Sequence, residues 1–236
     1  MSPRLLASIG CLTLIAAAPA PSSRTVLLQG GRATPAWFVC DPTDGSAIVV
    51  FENRGEGGTA RANVFPRSAP RTARTTTYRV GDGDPGAGQI YYALKRDGRE
   101  AGSVHAVNPG VFDPETPVRL PAISSLEMDG VRTQCRLIPG AVFIGFTQRR
   151  SLAVVSTKAG LAYRTFDFSQ PSGETPSTDV NGGRGIKRGG GVEYRFDTKG
   201  FTYLVKAPAT GAATLSVLRA GRLVQSEPLI AYSAVR

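Results

Sequence analysis

The stretch that decides the fold class reads Val192-Glu-Tyr-Arg-Phe-Asp197. Apolar and charged side chains alternate through it, so its valine, tyrosine and phenylalanine would share one face of a strand and its charged residues the other. This period of two is typical of an antiparallel strand with one solvated face. Similar short runs lie between turn dipeptides such as Asp97-Gly98 and Ala220-Gly221. The sequence therefore predicts an all-β fold, an antiparallel sandwich or barrel built mainly of hairpins.

The composition supports this fold class. The 236 residues include 28 glycines and 17 prolines, a larger share than in an average chain, and they interrupt the sequence too often for long helices. Apolar residues make up 41% and charged residues 19%, which is enough apolar material to bury a core. The formal net charge of +10 favours partners of negative charge.

Residues 1–20 have the three-part layout of a secretory signal peptide. A basic start, Met1-Ser-Pro-Arg4, precedes the apolar run Leu5–Ala18, and Ala18-Pro-Ala20 supplies the small residues of a cleavage site. The apolar run is shorter than the ~20 residues that span a bilayer as a helix. We therefore predict a periplasmic or secreted protein without stable membrane insertion. The alternatives are a buried N-terminal helix and a lipoprotein that is lipidated at Cys11.

Removal of the signal peptide leaves Cys40 and Cys135 as the cysteines of the mature chain. An even pair in an oxidising compartment predicts one disulfide. The bridge would close a loop of about 95 residues, worth about 4–5 kcal/mol on the chain-entropy estimate. The alternative is two separately buried thiols.

The pattern of strands, prolines and glycines predicts two β-modules, at 21–107 and 122–236. Four prolines in residues 108–121 predict a linker, because proline lacks the N–H that a sheet ladder needs. Residues 169–191, polar and then glycine-rich, predict a mobile loop in the second module. Residues 92–99 resemble residues 215–222, which is compatible with related modules or with coincidence between two common hairpins.

The residues that catalysis or metal binding requires are scarce. His105 is the one histidine, and Ser103 would share its strand face without forming the pattern of a catalytic triad. A zinc site needs three or four clustered ligands, which one histidine and two distant cysteines do not supply, so we predict no metal, no cofactor and no enzyme activity. The alternative is a carboxylate-dependent glycan hydrolase, because paired carboxylates are defined by their spatial separation. The acidic residues considered for it are Glu52, Asp129, Glu193 and Asp197.

Two basic segments are candidate anion-binding sites. The first contributes Arg61, Arg67, Arg71 and Arg74, and the second, glycine-rich, contributes Arg184, Lys187 and Arg188. Glycine allows close approach of a ligand to the backbone, and the cations would neutralise it. Few aromatic residues are interleaved with these cations, and no nucleic-acid-binding module is recognisable, so we predict no nucleic-acid partner.

The stretch 135–206 resembles the MliC-type periplasmic inhibitors of c-type lysozyme, which are small β-barrels. The comparable positions are Ala159-Gly-Leu-Ala-Tyr163, for a Ser-Gly-x-x-Tyr loop, and Phe196-Asp-Thr-Lys-Gly200, for a Trp-x-Lys-Gly turn. The loop serine is replaced by Ala159, and the spacing to Phe196 differs by one. The resemblance implies inhibition of lysozyme, and these departures fall on the residues that would carry it.

These observations together predict an exported, non-catalytic β-protein. It would bind an anionic component of the cell envelope or a protein partner. The glycan hydrolase and the lysozyme-inhibitor-like envelope protein are the alternatives.

Overall fold

The computed structural model describes residues 23–45, 47–112, 115 and 117–235. The predicted signal peptide, residues 1–20, lies outside the described residues. Within them, eighteen strands and two short 3₁₀ turns confirm the all-β prediction. None of the described helices is long and apolar enough to cross a membrane.

The strands follow one another through the chain with short connections. They are β1 (Ser23–Gln29), β2 (Arg32–Cys40), β3 (Ala47–Glu52), β4 (Thr59–Pro66), β5 (Arg74–Gly86), β6 (Gln89–Arg96), β7 (Arg99–Val107), β8 (Ile123–Met128), β9 (Val131–Gln134), β10 (Ala141–Phe146), β11 (Arg150–Thr157), β12 (Gly160–Asp167), β13 (Thr178–Arg188), β14 (Gly191–Thr198), β15 (Phe201–Ala207), β16 (Thr214–Arg219), β17 (Arg222–Pro228) and β18 (Ala231–Val235). The 3₁₀ turns are Glu56–Gly58 and Pro109–Val111.

The described strands form one open antiparallel sheet made of two meanders. Each strand from β1 to β9 pairs with the next, and so does each strand from β10 to β17. The last strand, β18, lies between β1 and β10 and pairs with both. The first and last of the described strands, β1 and β18, therefore form the joint between the first meander, β1–β9, and the second, β10–β17.

The proline-rich segment 108–121 connects β7 to β8, and these two strands pair directly with each other. The chain passes from the first meander to the second at residues 135–140 instead. The division into modules at 21–107 and 122–236 stays a prediction. The similar segments 92–99 and 215–222 form the hairpins β6–β7 and β16–β17, which hold different places in the two meanders.

The loop predicted for 169–191 is wrong for residues 178–188, which form β13. The glycines of this strand leave room for aromatic rings of the neighbouring β14. A Cβ atom on Gly183 would lie 2.0 Å from the ring of Phe196, and one on Gly185 would lie 3.0 Å from the ring of Tyr194. The glycine-rich sequence is therefore a strand that accommodates buried rings, which is a known use of glycine in sheets.

Each meander buries its own apolar core, and a third cluster lies at the joint. The first core includes Phe38, Phe51 and Leu94, and the second includes Phe143 and Phe196. The joint cluster contains side chains from both meanders. Phe65 of β4 and Phe146 of β10 meet there with ring centroids 5.3 Å apart, which fixes the two meanders against each other.

The predicted disulfide between Cys40 and Cys135 is confirmed. It joins the end of β2 to the residue after β9. Two backbone hydrogen bonds flank it, from Thr43 N to Gln134 O (3.0 Å) and from Arg136 N to Asp41 O (2.7 Å). The first meander thus curls until its last strand meets its second.

Replacement of both cysteines by serine should lower the free energy of unfolding by about 4–5 kcal/mol, because the bridge restricts a loop of 95 residues in the unfolded chain. Denaturant unfolding of the oxidised protein and of Cys40→Ser/Cys135→Ser measures this loss. A reductant should destabilise the oxidised protein and leave the double variant unchanged. Equal stability of the oxidised protein and the double variant would contradict the structural role of the bridge.

Candidate functional site

A groove of about 900 Å³ opens at one end of the first meander. Strands β3, β4, β5, β8 and β9 form its floor and walls. The opposite side is lined by residues of the second meander, namely Phe168, Gln170, Pro171 and Ser172. It therefore lies where the two meanders meet. We call it the junction groove.

Arg132 and Arg74 are the exposed cations that line the junction groove, and Arg74 is the one that belongs to β5. It lies on the same face of β5 as Thr76 and the buried Tyr78, and all three line the groove. Its cross-strand partner is Val64 of β4, which is also a lining residue. Among the described residues no carboxylate forms an ion pair with the Arg74 guanidinium, whereas many other arginines of the chain are paired.

Arg67 forms part of the wall of the groove. Its Nη2 donates a hydrogen bond to the backbone oxygen of Asp167 (3.2 Å), and its guanidinium lies 4.9 Å from the ring centroid of Phe168. Its Nε is buried without a hydrogen-bond partner. Burial lowers the pKa of Arg67, with a further lowering by Arg136 and an opposing effect of Asp41. Arg67 thus ties the second meander to the groove.

The two carboxylates that line the groove are already engaged. Asp129 accepts hydrogen bonds from Tyr78 Oη (2.7 Å) and Arg96 Nη1 (2.6 Å). Asp44 Oδ1 accepts one from the backbone nitrogen of Gln134 (3.0 Å). Burial, with the hydrogen bond to Asp129, raises the pKa of Tyr78 to about 12. The carboxylates therefore leave Arg74, and Arg132 of β9, as the cations available to a ligand.

The other predicted anion-binding residues lie outside the groove. Arg61 is on the opposite face of β4 and forms an ion pair with Glu52 (2.8 Å). Arg71 lies exposed in the turn between β4 and β5. The structure therefore brings Arg67 and Arg74 together at the groove and separates them from these two.

The second basic segment also lies elsewhere. Arg184 is opposite Arg195 in the β13–β14 ladder, and Lys187 is opposite Val192. Arg188 lines a separate cavity of about 250 Å³, together with Glu193 and Lys206. No residue of this segment lines the junction groove.

The carboxylates considered for glycan hydrolysis are distributed over both meanders. Each is held by at least one cation: Glu52 by Arg61, Asp129 by Arg96, Glu193 by Lys206 and Asp197 by Arg195. Asp129 alone of the four lines the junction groove.

His105 lies on the outer face of β7. Its Nε2 is 3.1 Å from Ser103 Oγ, and its ring packs against Tyr91 with centroids 4.2 Å apart. Burial lowers the pKa of His105, with a further lowering by Arg132 and an opposing effect of Glu127. In the described part of the chain no carboxylate hydrogen-bonds to this imidazole, and no cluster of three His, Cys, Asp or Glu suited to a metal is present there.

A buried polar cluster in the second meander was not predicted. Arg150 of β11 pairs with Asp167 of β12 and Glu227 of β17, each at 3.3 Å. Thr147 Oγ1 donates to Glu227 (2.5 Å). Glu227 is 5% exposed. These residues are far apart in sequence, and no local pattern identifies them as partners.

The positions that resemble lysozyme inhibitors differ in exposure. Tyr163 is fully buried in the second core, so a protein partner could not contact its ring without rearrangement. Lys199-Gly200 forms the turn between β14 and β15, with positive φ at both residues.

The sequence matches no protein-family model, and a search among curated proteins finds no significant match. The interpretation of the site therefore depends on its geometry.

Arg150→Met should destabilise the protein by about 3–5 kcal/mol, because it leaves the buried carboxylate of Glu227 without its cation. Arg150→Met/Glu227→Leu should recover much of this loss, since it removes both charges of that pair. Denaturant unfolding of the three proteins provides the comparison. A cost below about 1 kcal/mol for Arg150→Met would contradict a buried ionic cluster.

The raised pKa of Tyr78 predicts a loss of stability at alkaline pH. Between pH 10.0 and about 12 the unfolded chain releases this proton while the folded protein retains it, so the free energy of unfolding falls as pH rises. Tyr78→Phe should show a shallower fall over the same range in denaturant unfolding. An identical pH dependence of the two proteins would contradict the shift.

Proposed function

We propose that this chain is an exported, non-catalytic β-protein that binds an anionic component of the cell envelope in the junction groove. The observation that carries the proposal is Arg74, a cation without an ion-pair partner in the described part of the chain, at the edge of a cavity of about 900 Å³. Ligand sites in proteins are commonly clefts of this size with a few placed polar groups. Export rests on the signal-peptide layout of residues 1–20.

We also propose that the two meanders are two β-modules of one architecture. In the described residues β2–β9 and β10–β17 contain equal numbers of strands, each meander buries its own core, and β1 and β18 complete the joint. The groove would then lie between modules, a common place for a binding site.

Electrostatics give the proposal its direct test. Octanoate carries one carboxylate, and calorimetric titration at increasing salt measures its affinity for the groove. We expect the affinity to fall as salt rises, because the Arg74 guanidinium is exposed to solvent. Arg74→Gln should weaken binding about tenfold, which corresponds to the loss of one hydrogen bond to a charged group.

Arg188→Gln is the matched control, because it removes a cation on β13 that does not line the groove. It should leave octanoate affinity within twofold of the original value. Equal effects of the two variants, or an affinity that is independent of salt, would contradict the proposal. Hydrolysis of an acidic glycan that Asp129→Asn abolishes would support the hydrolase alternative instead.

A further inference from the structure

The floor of the junction groove is part of the first apolar core. Val49 and Tyr78 line the groove and belong to that core, with 2% of each residue exposed. Val64 and Met128 line it too and pack against the same cluster. A ligand in the groove can therefore contact the apolar interior of the first meander.

The opposite wall adds more apolar surface. Phe168 and Pro171 line this side. The wall is held by the hydrogen bond from Ser172 Oγ to the backbone oxygen of Gly45 (2.7 Å) and by the stacking of Arg67 on Phe168. The apolar surface thus faces the groove from both meanders.

The charges of the groove are arranged unequally around this surface. Asp44 and Asp129 already accept hydrogen bonds from the protein, and Arg67 is bound to the second meander. Arg74 and Arg132, both exposed, have no such partner among the described residues, and Arg74 shares its strand face with Thr76 and Tyr78 of the groove. A hydrophilic anion would pair with Arg74 and leave the floor in contact with water. A neutral apolar molecule would cover the floor and leave the cation unpaired.

We infer that the ligand of this groove is an amphiphilic anion, with a carboxylate or phosphate at Arg74 and an alkyl chain over Val49, Val64 and Met128. This inference rests on the proposed function and specifies its ligand class. Burial of the ligand's alkyl chain would supply most of the affinity, since the transfer of each methylene out of water lowers the free energy of binding. The methionine suits such a site because its unbranched thioether adapts to chains of different shape.

The length of the ligand's alkyl chain is the variable that tests the inference. Titration with butanoate, hexanoate, octanoate and decanoate should show affinity rising about three- to fourfold per methylene until the groove is filled. Met128→Gln should weaken decanoate binding at least tenfold and change butanoate binding little. Val224→Thr, which alters an exposed residue of β17 outside the groove, is the matched control, and thermal unfolding establishes that each variant is folded.

The outcomes separate this inference from the proposed function. Affinity that depends on salt and on Arg74, but is the same from butanoate to decanoate, would overturn the inference of an amphiphilic ligand. The proposed function, binding of an anion in the groove, would still stand. If decanol binds as tightly as decanoate, the ligand needs no negative charge, and this result would overturn both the proposed function and the inference. Chain-length dependence that Met128→Gln leaves unchanged would place the alkyl chain elsewhere and overturn the inference.

Discussion

The bridge between Cys40 and Cys135 is the constraint on which the rest of the structure depends. It joins β2 to the end of the first meander, and the sheet curls around Phe38, Phe51 and Leu94 as a result. Arg136 follows directly. Its side chain pairs with Asp41 (2.8 Å), donates to the backbone oxygen of Gly173 (2.5 Å) and lies 3.6 Å from the ring centroid of Phe166. The closure of one meander therefore also positions the second, and the groove between them follows from both.

The sequence predicted the fold class because the alternation of apolar and polar residues is visible within a single short strand. It predicted the disulfide because the mature chain contains two cysteines. The alternation in Val192–Asp197 is a property of one strand and its exposure to water. The loop predicted for 169–191 failed at 178–188 for a long-range reason. Gly183 and Gly185 are compatible with a mobile loop and with a strand covered by rings, and only the β13–β14 register places Phe196 and Tyr194 against them.

The candidate site was likewise predicted only in part, because its local features are visible in the sequence and its long-range contacts are not. Arg67 and Arg74 were predicted because they belong to one basic segment, but so were Arg61 and Arg71, and strand alternation and turn geometry then separated the four. Phe168 lies 101 residues from Arg67 in the sequence, and the contact between them depends on the joint between the meanders. The second segment is also basic in sequence, but it belongs to β13, which lies outside the groove. Charge density alone does not identify a site, and the site proposed here rests on unpaired charge beside apolar surface.

Methyl resonances of methionine provide the most direct test of the central claim that the groove binds an amphiphilic anion. The sequence contains two methionines, and Met1 would leave with the signal peptide, so a mature chain labelled at the methionine methyl carbon would report from Met128 alone. The account predicts a saturable change in the chemical shift of this resonance as decanoate is added. In Arg74→Gln the same change should require a higher decanoate concentration. A resonance that stays unmoved at saturating decanoate would contradict the account.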